Sequence, residues 1–186
     1  MITITTTQTD DDLRGILALQ EQNLRRLIPE SVATEQGFVT LQYTLDQMRH
    51  MHQAGPSVIA KDNDTVVGYV IATLPETRQY VPELGNLFDQ IDAIHYEGRP
   101  LSTYAYYVAG QVCVASGYRG QALLDRMYVH HRSLYADRFQ LFVTDISALN
   151  TRSLRVHERI GFQAIQRFYE PTVGEDWIVV AWDWKK

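Results

Sequence analysis

The sequence predicts a mixed α/β domain whose central sheet carries helices on both faces. Three observations predict it. Apolar spacing switches along the chain between strand-like and helix-like periods in the order β-α-α-β-β-(α)-β-α-β-α-β-β. Residues 108–162 form one continuous run of strand, glycine-bearing turn, helix, strand and helix. The chain of 186 residues is 45% hydrophobic, enough for one sizeable core, and no repeat, low-complexity tract or linker divides it.

Each element follows from local residues. Residues 2–7, "ITITTT", are β-prone. Asp10 to Asp12 stand where a helix start favours negative charge; Leu13, Ile16, Leu17, Leu24 and Leu27 mark one face of a helix running to about Arg26, before Pro29. Residues 29–42 have no clear period and read as a loop. Residues 43–51, with Leu45 and Met48, suit a second helix, which Gly55-Pro56 closes. Residues 57–61 and 65–74 are β-branched runs flanking the polar "DND" of a hairpin. Within 75–103, helical spacing recurs at Leu84, Leu87, Phe88, Ile91 and Ile94. Residues 101–114 read as a long central strand with Gly110 a candidate bulge. After the turn "SGYRG", Leu123, Leu124, Met127, Tyr128, Leu134 and Tyr135 predict a helix from Gln121 to Tyr135. Residues 141–146 are a strand, and Asn150 starts a short helix that Gly161 stops. Residues 162–170 and 176–184 are strands joined by a turn around 171–175.

Composition excludes several classes. A net charge of −5 argues against a general nucleic-acid binder. No run of eighteen apolar residues marks a membrane span, and the first residues lack the basic region and apolar core of a secretory signal. The lone Cys113 excludes an internal disulfide. A cytosolic (cytoplasmic) protein with no nucleic-acid or membrane partner is therefore expected. Charge is uneven: residues 1–114 carry seven Lys or Arg and fourteen Asp or Glu, whereas residues 115–167 carry eight Arg and four acids. That second segment has the field to attract an anion.

Asn150, Ser153, His157, Glu158, Arg159, Ile160, Gly161 and Phe162 fit the pattern N-x-x-(S/A)-x-x-x-(Y/H)-E-(K/R)-φ-G-F, φ being apolar. Val114 and Arg119 stand at the spacing of (Q/R)-x-x-G-x-(G/A) after a strand ending in valine, with Ala122 and Leu124 at its two small positions. On these residues the chain resembles the GNAT superfamily of acyl-CoA-dependent N-acetyltransferases. The resemblance implies a single-domain GNAT fold over 1–186, with a mixed, mostly antiparallel central sheet flanked by helices and an insertion at 75–103. It implies acetyl-CoA as co-substrate and direct acetyl transfer to an amine, through a tetrahedral intermediate and with no covalent enzyme intermediate. In the family the strand before the turn splays from its neighbour, so that backbone groups of Val112, Cys113 and Val114 would bind the pantetheine arm as a strand would. The turn through Arg119, Gly120, Gln121, Ala122 and Leu123 would hold the pyrophosphate at a helix start. Asn150 and Ser153 would lie near the cofactor arm. His157 stands where many members have a tyrosine that protonates the departing thiolate.

The residues by themselves leave other readings open. The turn can be an ordinary strand–helix connection; Arg119 adds a bidentate donor, Ala122 is tolerable if already helical, and Leu124 can face the core. Cys113 reads as a small apolar residue, and Asn150 as an N-cap. His157 is either a hydrogen-bonded core histidine or a general acid, since an imidazole near ~6.5 can protonate a thiolate near ~8.5 at neutral pH. Tyr106, Tyr107 and Tyr169 are rival acids. Glu35, Glu76 and Asp145 are candidate general bases, and no spacing selects among them. His50, His52, His130 and His131 read as surface residues, and no metal is expected. Residues 27–45 and 75–103 would select the acceptor; small amines, amino acids, an antibiotic and a protein N-terminus all remain open. Trp177, Trp182 and Trp184 offer a dimer edge or core packing, so a homodimer is one expected assembly. The rival functions are a non-catalytic acyl-CoA-binding or regulatory domain and a partner-binding α/β domain.

Overall fold

A computed structural model describes residues 1–171 and 174–186, without the side chains of 34–36 and 83. The middle of the turn expected around 171–175 and the side chain of Glu35 thus lie outside the described residues. The helices are α1 (Asp10–Glu21), α2 (Glu30–Gln36), α3 (Leu45–Ala54), α4 (Pro82–Ala93), α5 (Leu123–Tyr135) and α6 (Thr151–Ile160). The strands are β1 (Ile2–Thr6), β2 (Val58–Asp62), β3 (Thr65–Thr73), β4 (His95–Tyr96), β5 (Arg99–Pro100), β6 (Tyr106–Val114), β7 (Leu141–Ser147), β8 (Gln163–Glu170) and β9 (Glu175–Asp183). Seven form one sheet in the order β1-β2-β3-β6-β7-β9-β8, while β4 and β5 make a separate two-residue hairpin. Every pair in the large sheet is antiparallel except β6 with β7.

Caps and turns explain most element ends. Thr9 accepts from the Asp12 N–H while the Asp12 carboxylate accepts from the Thr9 N–H, a capping box that starts α1. Thr44 and Gln47 repeat it at α3. The β2–β3 hairpin turns on Asn63, whose φ of 52° suits the tight reversal. Asn150 caps α6 by accepting from the Ser153 N–H at 3.2 Å, and Gly161 ends it at φ 122°.

Four expectations shift. The first helix ends at Glu21 rather than near Arg26, because the Asn23 side chain donates to the Leu19 carbonyl at 2.8 Å and takes a last-turn acceptor. Residues 29–42, read as a loop, contain α2, a short helix with too little apolar periodicity to detect. The central strand begins at Tyr106, not Leu101; Leu101–Thr103 form a 3-10 turn that buries Leu101 beside Phe88 and Ile91 of α4. His131 is not a surface residue: it is fully buried, its Nε2–H donating to the Val70 carbonyl at 2.9 Å and its Nδ1 accepting from Tyr107 Oη at 3.1 Å.

The sheet separates two cores. On one face Val70, Ala72, Tyr107, Phe142 and Val180 meet Met127 and Tyr128 of α5. On the other, Tyr69 and Ile71 meet Leu13 and Ile16 of α1 and Met48 and Met51 of α3, and farther along the sheet Val143 and Val179 meet Phe88 and Ile91 of α4. Trp182 and Trp184 pack into the α5 face, and β9 is paired on both sides, so the aromatic strand is internal and offers no dimer edge.

Candidate active site

β6 and β7 pair over only three positions, Tyr106 with Leu141, Tyr107 with Phe142 and Val108 with Val143, and then part. Thr144 seals the fork by donating its hydroxyl to the Ala109 carbonyl at 2.9 Å. Gly110 is the bulge residue, passed over between Gln111↔Ile71 and Ala109↔Ala72. A Cβ at Gly110 would overlap Thr73 Oγ1 and lie 3.0 Å from Tyr43 Oη, whose hydroxyl donates to the Gly110 carbonyl at 2.9 Å. Beyond the fork, a cavity of about 680 Å³ runs between the strands, within the range of small-molecule sites.

One wall is β6. The Ala115 N–H donates to the Val67 carbonyl on the β3 side. By alternation the backbone of Cys113 also turns to β3, while the N–H and C=O groups of Val112 and Val114 turn into the opening. The expectation for Cys113 backbone is corrected accordingly. Its side chain lines the cavity, but burial pushes the thiol up to about 12, which removes the thiolate a nucleophile needs.

The turn to α5 closes one end. Gly120 has φ 81° and Ala122 φ 53° with ψ 26°, so Ala122 is left-handed rather than helical as expected. The N-cap residue Ala122 gives α5 no side-chain cap, so its first-turn N–H groups are those a helix leaves without intrahelical partners. Leu123, Leu124 and Ala122 line the cavity; Gln121 is exposed and does not. Arg119 also lines the cavity, its Nε–H donating to the Val114 carbonyl and an Nη2–H to Asn23 Oδ1, both at 2.9 Å. Arg152, which the motif does not include, and Arg159, which it includes without a cofactor role, also line the cavity; Arg159 bridges to Asp125 of α5 at 2.7 Å, tying the two helices together. They sit one and eight residues from the start of α6, and only the fold shows which side they face.

α6 supplies Asn150, Ser153 and His157 to the wall. Asn150 also donates through Nδ2 to the Phe38 carbonyl at 3.4 Å, holding the segment 37–41 over the cavity. His157 is buried. The Ser153 carbonyl, 2.8 Å from Nδ1, can only accept, so Nδ1 bears the proton and Nε2 accepts from Tyr128 Oη at 2.7 Å. Burial lowers its pKa to about 4, so the ordinary imidazole value behind the general-acid expectation does not hold at this position. The rival acids lie elsewhere: Tyr106 donates to Asp92, Tyr107 to His131, and Tyr169 is exposed on β8.

Of the two candidate bases whose side chains are described, Asp145 is the one the fold brings to the cavity. It lies on β7 just past the fork, and burial raises its carboxyl to about 6. Glu76 is half exposed and paired with Arg138, outside the lining.

No protein-family model and no curated protein sequence matches the chain. Solved structures do. The ribosomal-protein-alanine N-acetyltransferase from Brucella melitensis aligns over 97% of this chain and 99% of its own at 17% identity, with a TM-score of 0.64. The yncA protein of Salmonella typhimurium, solved with its cofactor acetyl-CoA, aligns over 98% and 93% at 15% identity and 0.64. A chain of the NatC complex bound to Gag peptide and CoA aligns over 98% of both chains at 12% identity and 0.68. The chain has the GNAT fold. The expected mixed, mostly antiparallel sheet is the one observed, with β6 and β7 parted at the cavity.

The GNAT fold also shows why the cavity has two sides. Along β7, Phe142 and Ile146 face α5 whereas Leu141 and Val143 face α4, which by alternation puts Asp145 on the α4 side. The α5 start, Ser153 and His157 approach from the opposite side. The opening therefore passes through the sheet, with Asp145 on one side and the α5 and α6 residues on the other.

Proposed function

We propose that this protein transfers the acetyl group of acetyl-CoA to a primary amine. The observation that carries the reading is the gap between β6 and β7, with an uncapped helix start at one end and a carboxyl of raised pKa at the other. The residues present fit acetyl-CoA. Val112 N–H and C=O and the Val114 N–H would bind the pantetheine amides as a missing strand would. The first-turn N–H groups of α5, with Gly120 open beside them, would hold the pyrophosphate in the positive field of Arg152 and Arg159. Ala122 and Leu123 enter through backbone, so their side chains need not be glycine, and Arg119 braces the β6 end of the site.

Acetyl-CoA would supply an activated thioester, whose acetyl carbon gains a C–N bond to the amine and loses its C–S bond, giving the amide and CoA. Asp145 takes the proton the amine must lose, directly or through one water; a carboxylate near pH 6 is ionised at neutral pH yet basic enough for that step. His157 is a positioning residue. Neutral, with its N–H on Ser153 and its Nε2 on Tyr128, it fixes α6 against α5 and so fixes the wall on which the thioester would lie. The sulfur leaves as thiolate and gains its proton from water.

The test is release of free CoA thiol from acetyl-CoA across a panel of amines. The expected result is release that depends on amine and yields a product heavier by one acetyl group. Binding of acetyl-CoA without turnover on any amine would identify the non-catalytic alternative.

A further inference from the structure

The acceptor side of the cavity has its own chemistry. α4, from the segment between β3 and β6, sets Leu84 and Leu87 one turn apart along the cavity. Leu87 packs against both clusters of the α1–α3–α4 face, and Phe88 beside it packs with Val179, the register partner of Asp145. Trp177 lines the cavity from β9, on the same face as Val179. Leu41 lines it from the segment after α2, anchored by its carbonyl accepting from Gln111 Nε2 at 2.7 Å.

Gln111 is committed on this side, whereas the buried Nε1–H of Trp177 has no partner among the described residues and can only donate. Gln111 Oε1 already accepts from Gln20 Nε2 at 2.8 Å and Tyr69 Oη at 2.7 Å. The other carboxylate among the described lining residues, Asp125, is held by Arg159 at the opposite end. One anion thus stands against an apolar wall. A second cationic group on the ligand would be desolvated there without a partner.

Resting on the proposed acetyl transfer, we infer that the acceptor is a small primary monoamine bearing an aliphatic or aromatic group, its nitrogen at Asp145 and its apolar group against Leu41, Leu84, Leu87 and Trp177. A polyamine would find no second carboxylate on this side among the described lining residues, and ethanolamine carries no apolar group to cover the wall.

The test titrates 2-phenylethylamine, ethanolamine and spermidine into the CoA-loaded protein by calorimetry, and measures kcat/KM for each with acetyl-CoA. The expected result is a preference for 2-phenylethylamine of about tenfold or more in both readouts, the scale of discrimination by an apolar pocket. Leu87→Ser and Leu41→Ser, both at half-buried positions, should each remove most of that preference, with acetyl-CoA affinity reporting that the variants are folded. Preference for ethanolamine or spermidine, or an unchanged preference in both variants, overturns the inference. Selective binding of 2-phenylethylamine without acetylated product upholds the pocket and contradicts the acetyl-transfer reading instead.

Discussion

Ala122 holds a left-handed backbone that an L-residue with a Cβ adopts at a cost of about 1–2 kcal/mol. The conformation recurs at functional turns because the surrounding structure enforces it. Ala122→Gly should therefore raise stability by up to about 1 kcal/mol, less than the full strain because glycine also loosens the unfolded chain. Denaturant midpoints would show it; an unchanged or lower midpoint would mean the turn is unstrained. The buried histidines make a second prediction. His131 and His157, held near 3 and 4 by burial, take up protons on unfolding as pH falls below about 6.5. Stability should thus decline between about pH 6.5 and 4, and His157→Gln should flatten that slope by up to one proton. An equal slope in the variant would place His157 in a wetter setting than its contacts indicate.

At the scale of elements, the fork depends on the Gly110 bulge. Gly110→Ala drives a methyl into Thr73 and toward Tyr43, so a loss of about 1–3 kcal/mol is expected, together with weaker acetyl-CoA binding. Calorimetry and thermal melts check both; full affinity would show that the bulge does not shape the site. Gly110 was legible as a bulge because glycine inside a β-branched run has few other uses. The α6 cap and stop were legible for the same kind of reason, since Asn150 and Gly161 act through local backbone geometry. α2 was not, for it lacks an apolar period. Nor was the true end of α1, where one asparagine side chain competes with the helix for Leu19.

Across the whole molecule, parity decides what the sequence could not. His157 stands in a motif and was visible, but its charge state depends on Tyr128 and the core around it, 29 residues away in sequence. Asp145, Glu35 and Glu76 were equal candidates in sequence. Only the parting of β6 from β7 and the alternation along β7 bring Asp145 to the cavity, on the side that α4 covers. Arg152 was hidden in the same way, as an ordinary helix charge, and Arg159, though part of the motif, showed its pairing with Asp125 only once α5 and α6 met. These parts meet in one proposal, that Asp145 takes the amine's proton at the mouth of an acetyl-CoA cleft.

That claim is tested most directly by kcat/KM from pH 5 to 9 for the wild type and Asp145→Asn, using the amine that turns over best. The wild-type rate should rise through an apparent pKa of about 6, and Asp145→Asn should fall by about 100-fold or more and lose that rise, with acetyl-CoA affinity retained. A variant with the wild-type rate and profile would contradict that role for Asp145.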